Sequence, residues 1–183
     1  MIIFSDKLFT NSIKTIKAFS KDELKKALCE IEELGKKYYL AGYLRYEAFS
    51  KQNSDQPLLY FEVFENYEEF LPKSEKSFIL NTKPCVSFDE YSKAITEIKD
   101  EISQGNTYEV NYTYEFEIPF DGDDFELYRY LLKKQKTPYN FYLKNEFDTV
   151  LSFSPELFFT LKNKHIVTKP MKGTIKRLSL IHI

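Results

Sequence analysis

The chain has 183 residues, of which 43% are hydrophobic, 30% charged and 17% aromatic, and its formal net charge is −2. This balance is ordinary for a soluble globular protein and provides no field that would attract nucleic acid or an anionic membrane. Two cysteines and two histidines are too few for a disulfide framework or a zinc site. Because no leader peptide or membrane-spanning run is visible, we expect a cytoplasmic protein.

The first third of the chain predicts a helix followed by two strands. "SKDELKKALCEIEELGKK" has Ser20 and Glu23 at capping-box spacing and Gly35 at its end. "YYLAGYLRYEAF" and "PLLYFEVFENY" are short and rich in aromatic residues, which favours strands. A polar stretch around Lys73–Lys76 follows. We therefore predict an N-terminal α+β region at residues 1–83 and a second region at residues 84–183.

The second region predicts two helices, a long strand and a meander. "SFDEYSKAITEIKDEISQG" is the first helix, with Ser87 and Glu90 at capping-box spacing, and "TYEVNYTYEFEIP" alternates like a strand. "DDFELYRYLLKKQ" is the next helix, followed by "YNFYLKN", "DTVLSFS" and a hairpin that turns at Asn163–Lys164. Hairpins imply an antiparallel sheet, so the predicted fold class is α+β, with helices flanking a mainly antiparallel sheet on one face.

Three stretches carry polar residues that could act chemically. In "GNTYEVNYT", Glu109 and Asn111 share one face of the predicted strand, and the alternation alone favours a plain polar outer face. In "SFSPELFF", Pro155 breaks the strand and Glu156 follows it among apolar residues. Such a carboxylate would be desolvated, which raises its pKa and suits a general acid; the alternative is a charge that protects an edge strand.

The third stretch is "TKPMKGTIKR". Gly173 allows a close backbone approach, and Lys172 and Thr174 place an amine and a hydroxyl beside it. A buried amine that loses its proton becomes a nucleophile or base. A solvated basic loop, or one that binds phosphate or RNA, remains open as an alternative.

Taken together and in this order, the three stretches resemble the chorismate-utilising enzymes. They are similar to that family's G-D-x-Y-Q-V-N-L strand, its S-P-E turn and its T-(R/K)-P-I-(K/A)-G-T-x-P-R segment, and "AGYLRYEAF" is similar to a further strand more loosely. Within the family, aminodeoxychorismate synthases have lysine where anthranilate and isochorismate synthases have alanine. Lys172 therefore implies the amination of chorismate to 4-amino-4-deoxychorismate.

The resemblance also implies roles for these residues. Lys172 would attack ring carbon C2 of chorismate, Glu156 would protonate the departing 4-hydroxyl, and Gly173 and Thr174 would help to hold the substrate. Glu109, which stands where amine-forming members have glutamine, could accept a proton from the incoming ammonia, and Asn111 would contact substrate. Ammonia would come from a glutamine amidotransferase subunit, and Mg²⁺ would bind a substrate carboxylate.

The family continues beyond its lysine segment with magnesium-binding glutamates, which "LSLIHI" does not resemble. We therefore expect a truncated catalytic domain that holds no metal ligands and is inactive and poorly soluble alone. Anthranilate synthase component I and a non-catalytic docking module are the alternatives. A nucleic-acid role is disfavoured by the negative net charge.

Overall fold

The computed structural model describes residues 1–49, 55–73 and 76–170. The three α-helices are α1 Lys21–Leu34, α2 Phe88–Ser103 and α3 Asp124–Lys134, and a short 3₁₀ helix spans Tyr46–Phe49. The strands are β1 Ile2–Phe4, β2 Lys7–Phe9, β3 Lys14–Ala18, β4 Tyr39–Leu44, β5 Leu59–Phe64, β6 Glu68–Glu69, β7 Lys83–Pro84, β8 Phe116–Glu117, β9 Tyr139–Lys144, β10 Thr149–Ser154, β11 Leu157–Lys162 and β12 His165–Lys169. The chain divides into two compact units, residues 1–76 with 124–183 (unit 1) and residues 77–123 (unit 2).

In unit 1, a three-stranded antiparallel sheet in the order β3-β5-β4 is covered on one face by α1. The helix begins after Ser20, whose side chain accepts a hydrogen bond from the Glu23 N–H. Its apolar stripe packs on buried Ile16, Leu59 and Val63 of the sheet. The apolar side chains that recur every 3.6 residues in α1 and those that alternate along the strands therefore pack together in one core layer.

The second sheet of unit 1 has five antiparallel strands in the order β10-β9-β1-β2-β6. Its side chains alternate between two cores. Ile2 and Leu143 pack against Tyr60 and Phe64 of the three-stranded sheet. On the opposite face, the core is built around Tyr128 of α3 and lined by sheet residues, among them Ile3 and Tyr142. Unit 1 is therefore layered helix, sheet, sheet, helix.

Unit 2 consists of α2, an extended segment and the small β7–β8 pair. α2 has a complete capping box, because the Ser87 side chain accepts from the Glu90 N–H and the Glu90 carboxylate accepts from the Ser87 N–H at 2.7 Å. The ring of Tyr91 on α2 lies 5.9 Å from that of Tyr112 in the extended segment. All of residues 77–123 are described, and none of them is buried.

The predicted α+β class with mainly antiparallel sheets is confirmed, and so are all three helices. One expectation is wrong. The predicted strand over residues 107–119 is reduced to Phe116–Glu117, because unit 2 supplies only β7 as a pairing partner. In the sheet that contains β9 and β10, α3 covers one face and the three-stranded sheet packs on the other. The boundary between residues 83 and 84 stays a prediction.

Three strands near the N-terminus were not predicted. β1, β2 and β3 contain only three to five residues each, too few to show a clear periodicity. β1 forms because β9, far along the sequence, supplies a partner for it.

Candidate functional site

Glu156 lies at a corner of the chain between two sheets. β10 ends at Ser154, its last residue paired with β9, and β11 begins at Leu157 in the separate β11–β12 hairpin. Pro155 has no N–H and cannot extend a ladder, so the strand ends here, as the sequence predicted. Glu156 therefore follows immediately after the break.

The backbone of this corner is fixed by one hydroxyl. The Ser154 Oγ accepts a hydrogen bond from the Glu156 N–H at 3.1 Å and donates one to the Glu156 carbonyl oxygen at 3.1 Å. Just before it, the ring of Phe153 packs 5.5 Å from that of the fully buried Tyr128. The sequence analysis missed Ser154, although a hydroxyl two residues before a restrained position is a known turn signal.

The expected burial of Glu156 is wrong for the described residues. Its side chain is exposed, and the neighbouring Phe158 is itself 87% exposed. The apolar residues around Glu156 in the sequence therefore do not form a closed pocket over the carboxylate. The group stands where a ligand can reach it.

Glu109 and Asn111 belong to unit 2 and are both exposed. They were expected on one face of a strand, but residues 107–115 form no strand. Thr107 donates a side-chain hydrogen bond to the Glu109 carbonyl oxygen at 3.0 Å, which bends this segment locally. Val110 and Tyr112 line a groove of about 360 Å³ against α2, whereas Glu109 and Asn111 do not.

The structure describes three of the six predicted site residues. Lys172, Gly173 and Thr174 lie outside the described residues. Glu156 belongs to unit 1, and Glu109 and Asn111 belong to unit 2. Their joint action stays a prediction.

The hairpin that carries the corner is anchored at its other end to the three-stranded sheet. In the turn between β9 and β10, the Asn145 side chain accepts from the N–H groups of Phe147 and Asp148, at 2.7 and 2.8 Å. Asp148 then pairs with Arg45 and accepts from the Tyr43 hydroxyl at 3.1 Å. Burial raises the pKa of Tyr43, so the phenol stays protonated and donates.

A second anchor ties α3 to the same hairpin. Asp124, the first residue of α3, accepts hydrogen bonds from Tyr142 at 2.9 Å, Lys144 at 2.6 Å and Thr149 at 3.2 Å. Burial alone would raise the pKa of Asp124, but the three donors and the Lys144 charge outweigh it and lower that pKa. The carboxylate therefore stays charged and holds α3 on β9 and β10.

Unit 1 also contains an aromatic cavity of about 370 Å³ between its sheets, with Phe9, Tyr39 and Phe141 among its lining residues and Lys7 at its edge. Glu156, the predicted site residue described in unit 1, does not line it. Within residues 1–49, 55–73 and 76–170, no three histidine, cysteine or acidic side chains converge as a metal site. In the same ranges, no helix is both long and apolar enough to cross a membrane.

Comparison with known proteins identifies the class of the chain as chorismate-utilising. The family model for the chorismate binding enzyme matches residues 26–179, which is most of the sequence. The chain therefore belongs to that family, and the resemblance read from the three motifs is confirmed. No solved structure is similar enough to count as a match.

Relatives come from two branches of the family. Aminodeoxychorismate synthase component 1 of Salmonella typhimurium is 32% identical over 90 residues, which is 49% of this chain and 20% of the relative. Anthranilate synthase alpha subunit 2 of Arabidopsis thaliana is 32% identical over 108 residues, covering 59% of this chain and 16% of the relative. An uncharacterized PabA-like protein of Haemophilus influenzae is 30% identical over 125 residues, 68% of this chain and 35% of that protein. The chain thus spans about a fifth of the length of the characterised relatives, and identity alone does not separate the branches.

Proposed function

We propose that the chain is part of component I of an aminodeoxychorismate synthase, which aminates chorismate to 4-amino-4-deoxychorismate for para-aminobenzoate and folate synthesis. The observation that carries the proposal is Lys172 in "KPMKGT", where anthranilate and isochorismate synthases have alanine. Similarity to aminodeoxychorismate synthases supports it.

The proposed reaction proceeds in two displacements. The neutral Lys172 amine bonds to ring carbon C2 and becomes a secondary ammonium, both ring double bonds shift by one position, and the 4-hydroxyl leaves as water with the proton of Glu156. Ammonia then bonds to C4 and loses a proton, both double bonds shift back, and Lys172 leaves C2 as the neutral amine. The sum is chorismate plus ammonia giving the 4-amino product and water. A covalent intermediate replaces one difficult displacement by two easier ones.

Other components of the proposal follow from the family. Gly173, Thr174 and Asn111 would contact the substrate, and Glu109 would accept a proton from the ammonia. Ammonia would be supplied by a glutamine amidotransferase subunit. The Mg²⁺ ion would take its ligands from outside the described residues. We also propose a cytoplasmic location, because the free, exposed Cys29 and Cys85 suit a reducing compartment.

Anthranilate synthase component I is the second candidate, because relatives from that branch have the same level of identity. It would release pyruvate and a fluorescent aromatic amine. These two products distinguish the candidates directly.

The test uses the complete protein encoded by the gene, with chorismate, Mg²⁺ and ammonium. Lys172→Ala should abolish formation of the 4-amino product, and mass spectrometry of the intact unmodified protein should detect a chorismate-derived adduct that this variant lacks. Lys169→Ala, a matched change three residues away, should retain turnover. Unchanged turnover in Lys172→Ala would exclude the lysine from the mechanism, and pyruvate with a fluorescent product would favour anthranilate synthesis.

A further inference from the structure

We infer that Ser154 is a positioning residue for Glu156, acting through the backbone of the corner rather than on the substrate. This inference rests on the proposed function, in which Glu156 is the general acid. Ser154 is not one of the site residues predicted from the sequence. It belongs neither to the lysine segment nor to the "GNTYEVNYT" stretch.

The geometry of the two hydrogen bonds carries the argument. A peptide chain has two soft dihedral angles at each residue, and those of Glu156 are set by the peptide groups on either side of its Cα. Ser154 Oγ binds the N–H of the first group at 3.1 Å and the carbonyl oxygen of the second at 3.1 Å. A hydroxyl can donate one hydrogen bond and accept others, so both contacts form together. One side chain thus restrains both angles of Glu156.

The residues before Glu156 leave little other freedom. The proline ring fixes φ at Pro155, and a residue before proline is held in extended conformation, as Ser154 is at the end of β10. Ser154 also pairs with Tyr139 in the ladder, so the hydroxyl starts from a fixed position in the sheet. The Ser154 hydroxyl therefore restrains the backbone from which the Glu156 side chain projects.

Restraint matters here because the carboxylate is exposed. A buried acid is held by the packing around it, whereas an exposed acid has less packing and depends more on the backbone that carries it. A displacement of about 1 Å at a reacting group can cost roughly a hundredfold in rate. Loss of the hydroxyl should therefore lower kcat more than it changes KM.

The experiment compares Ser154→Ala, Ser154→Thr and Ser152→Ala in the complete protein encoded by the gene. Ser152 is a serine of the same strand and serves as the matched control. We expect kcat to fall about ten- to a hundredfold in Ser154→Ala with little change in KM or melting temperature. Threonine keeps the hydroxyl and should restore most of the rate, and Ser152→Ala should behave like the unmodified protein.

A double-mutant cycle separates positioning from a general loss of structure. If Ser154 acts through Glu156, Ser154→Ala should have no further effect in a Glu156→Gln background. Additive losses, or an unchanged kcat in Ser154→Ala, would overturn the inference while leaving the proposed function intact. Full activity of Glu156→Gln alone would instead refute the acid role on which both depend.

Discussion

Arg45 and Asp148 form the ion pair on which the β9–β10 turn depends. Their side chains are 26% and 18% exposed, so water screens the pair only partly. The pair bridges the two stacked sheets of unit 1 and is supported by the Tyr43 hydroxyl. Such a partly buried, hydrogen-bonded pair should contribute more than a surface pair does.

We expect Arg45→Ala and Asp148→Ala each to lower the free energy of unfolding by about 1–3 kcal/mol, because either change leaves a partner without its charge. The coupling energy from the double variant should be about 1 kcal/mol. Denaturant unfolding of the four proteins measures it. The control is the Lys36–Glu33 pair, which is 64% and 71% exposed and should couple by about 0–0.5 kcal/mol. Equal coupling in the two cycles would contradict the prediction.

At the scale of elements, α3 is joined to the sheet by the Asp124 carboxylate as well as by its apolar face. Tyr128 supplies the buried centre of that face, and its hydroxyl donates to Asn140 Oδ1 at 2.6 Å. Asp124 lies at the first turn, where a negative charge is also favoured by the helix dipole.

The lowered pKa of Asp124 predicts an acid dependence of stability. The pKa of Asp124 is lowered in the folded state, so its charged form stabilises the fold. This contribution to stability is complete above the unfolded pKa of about 3.9, and it is lost as the pH falls through the folded pKa. The unmodified chain should therefore be more stable than Asp124→Asn at pH 7, and the gap should shrink below about pH 4. Denaturant unfolding across this pH range measures the gap.

Lys144→Ala provides the control for this prediction, since it removes one donor and the neighbouring charge while keeping the carboxylate. Lys144→Ala should reduce the acid dependence of the free energy of unfolding. In the Asp124→Asn background it should lower that free energy little further. A gap that stays constant from pH 7 to pH 3 would show that Asp124 contributes only through its shape.

The helices could be predicted because their signals are local. Ser20 and Ser87 cap α1 and α2 as their spacing indicated, and the turn at Asn163–Lys164 has the positive φ angles, 51° and 64°, of a tight hairpin. Strand pairing is not local. The alternation from Tyr108 to Phe116 is real, but a strand requires partners, and here Val110 and Tyr112 lie against α2 instead.

The candidate site, like the fold, could be predicted from the sequence only in part. Pro155 marked the corner that holds Glu156, since the missing N–H is a property of the residue itself. The exposure of Glu156 was not predictable, because it depends on what packs against the corner. The role of Lys172 came from the resemblance alone.

At the scale of the whole molecule, the two units differ in how much they bury. Unit 1 has three cores with fully buried residues such as Ile2, Tyr128 and Leu143, whereas no residue of 77–123 is buried. Burial of apolar surface is the main source of stability, so unit 2 should open far more easily than unit 1.

Hydrogen exchange should show this difference. Amides of α2 should exchange with little protection, and those of β1, β5 and β9 should exchange only on global unfolding. Mass spectrometry of peptides from the 183-residue chain measures both. Equal protection in α2 and β9 would contradict the prediction and indicate that unit 2 is stabilised by contacts beyond its own residues.

The position of β1 has a consequence for biosynthesis. This strand lies inside the five-stranded sheet, between β2 and β9, with Ile2 opposite Leu143. On the ribosome, β1 can pair with β2 at once, but its other neighbour β9 begins only at Tyr139, and closing so long a loop is slow. Until then its two isoleucines are open to chaperones and to other nascent chains, so translation speed and chaperone supply should govern the yield of folded protein.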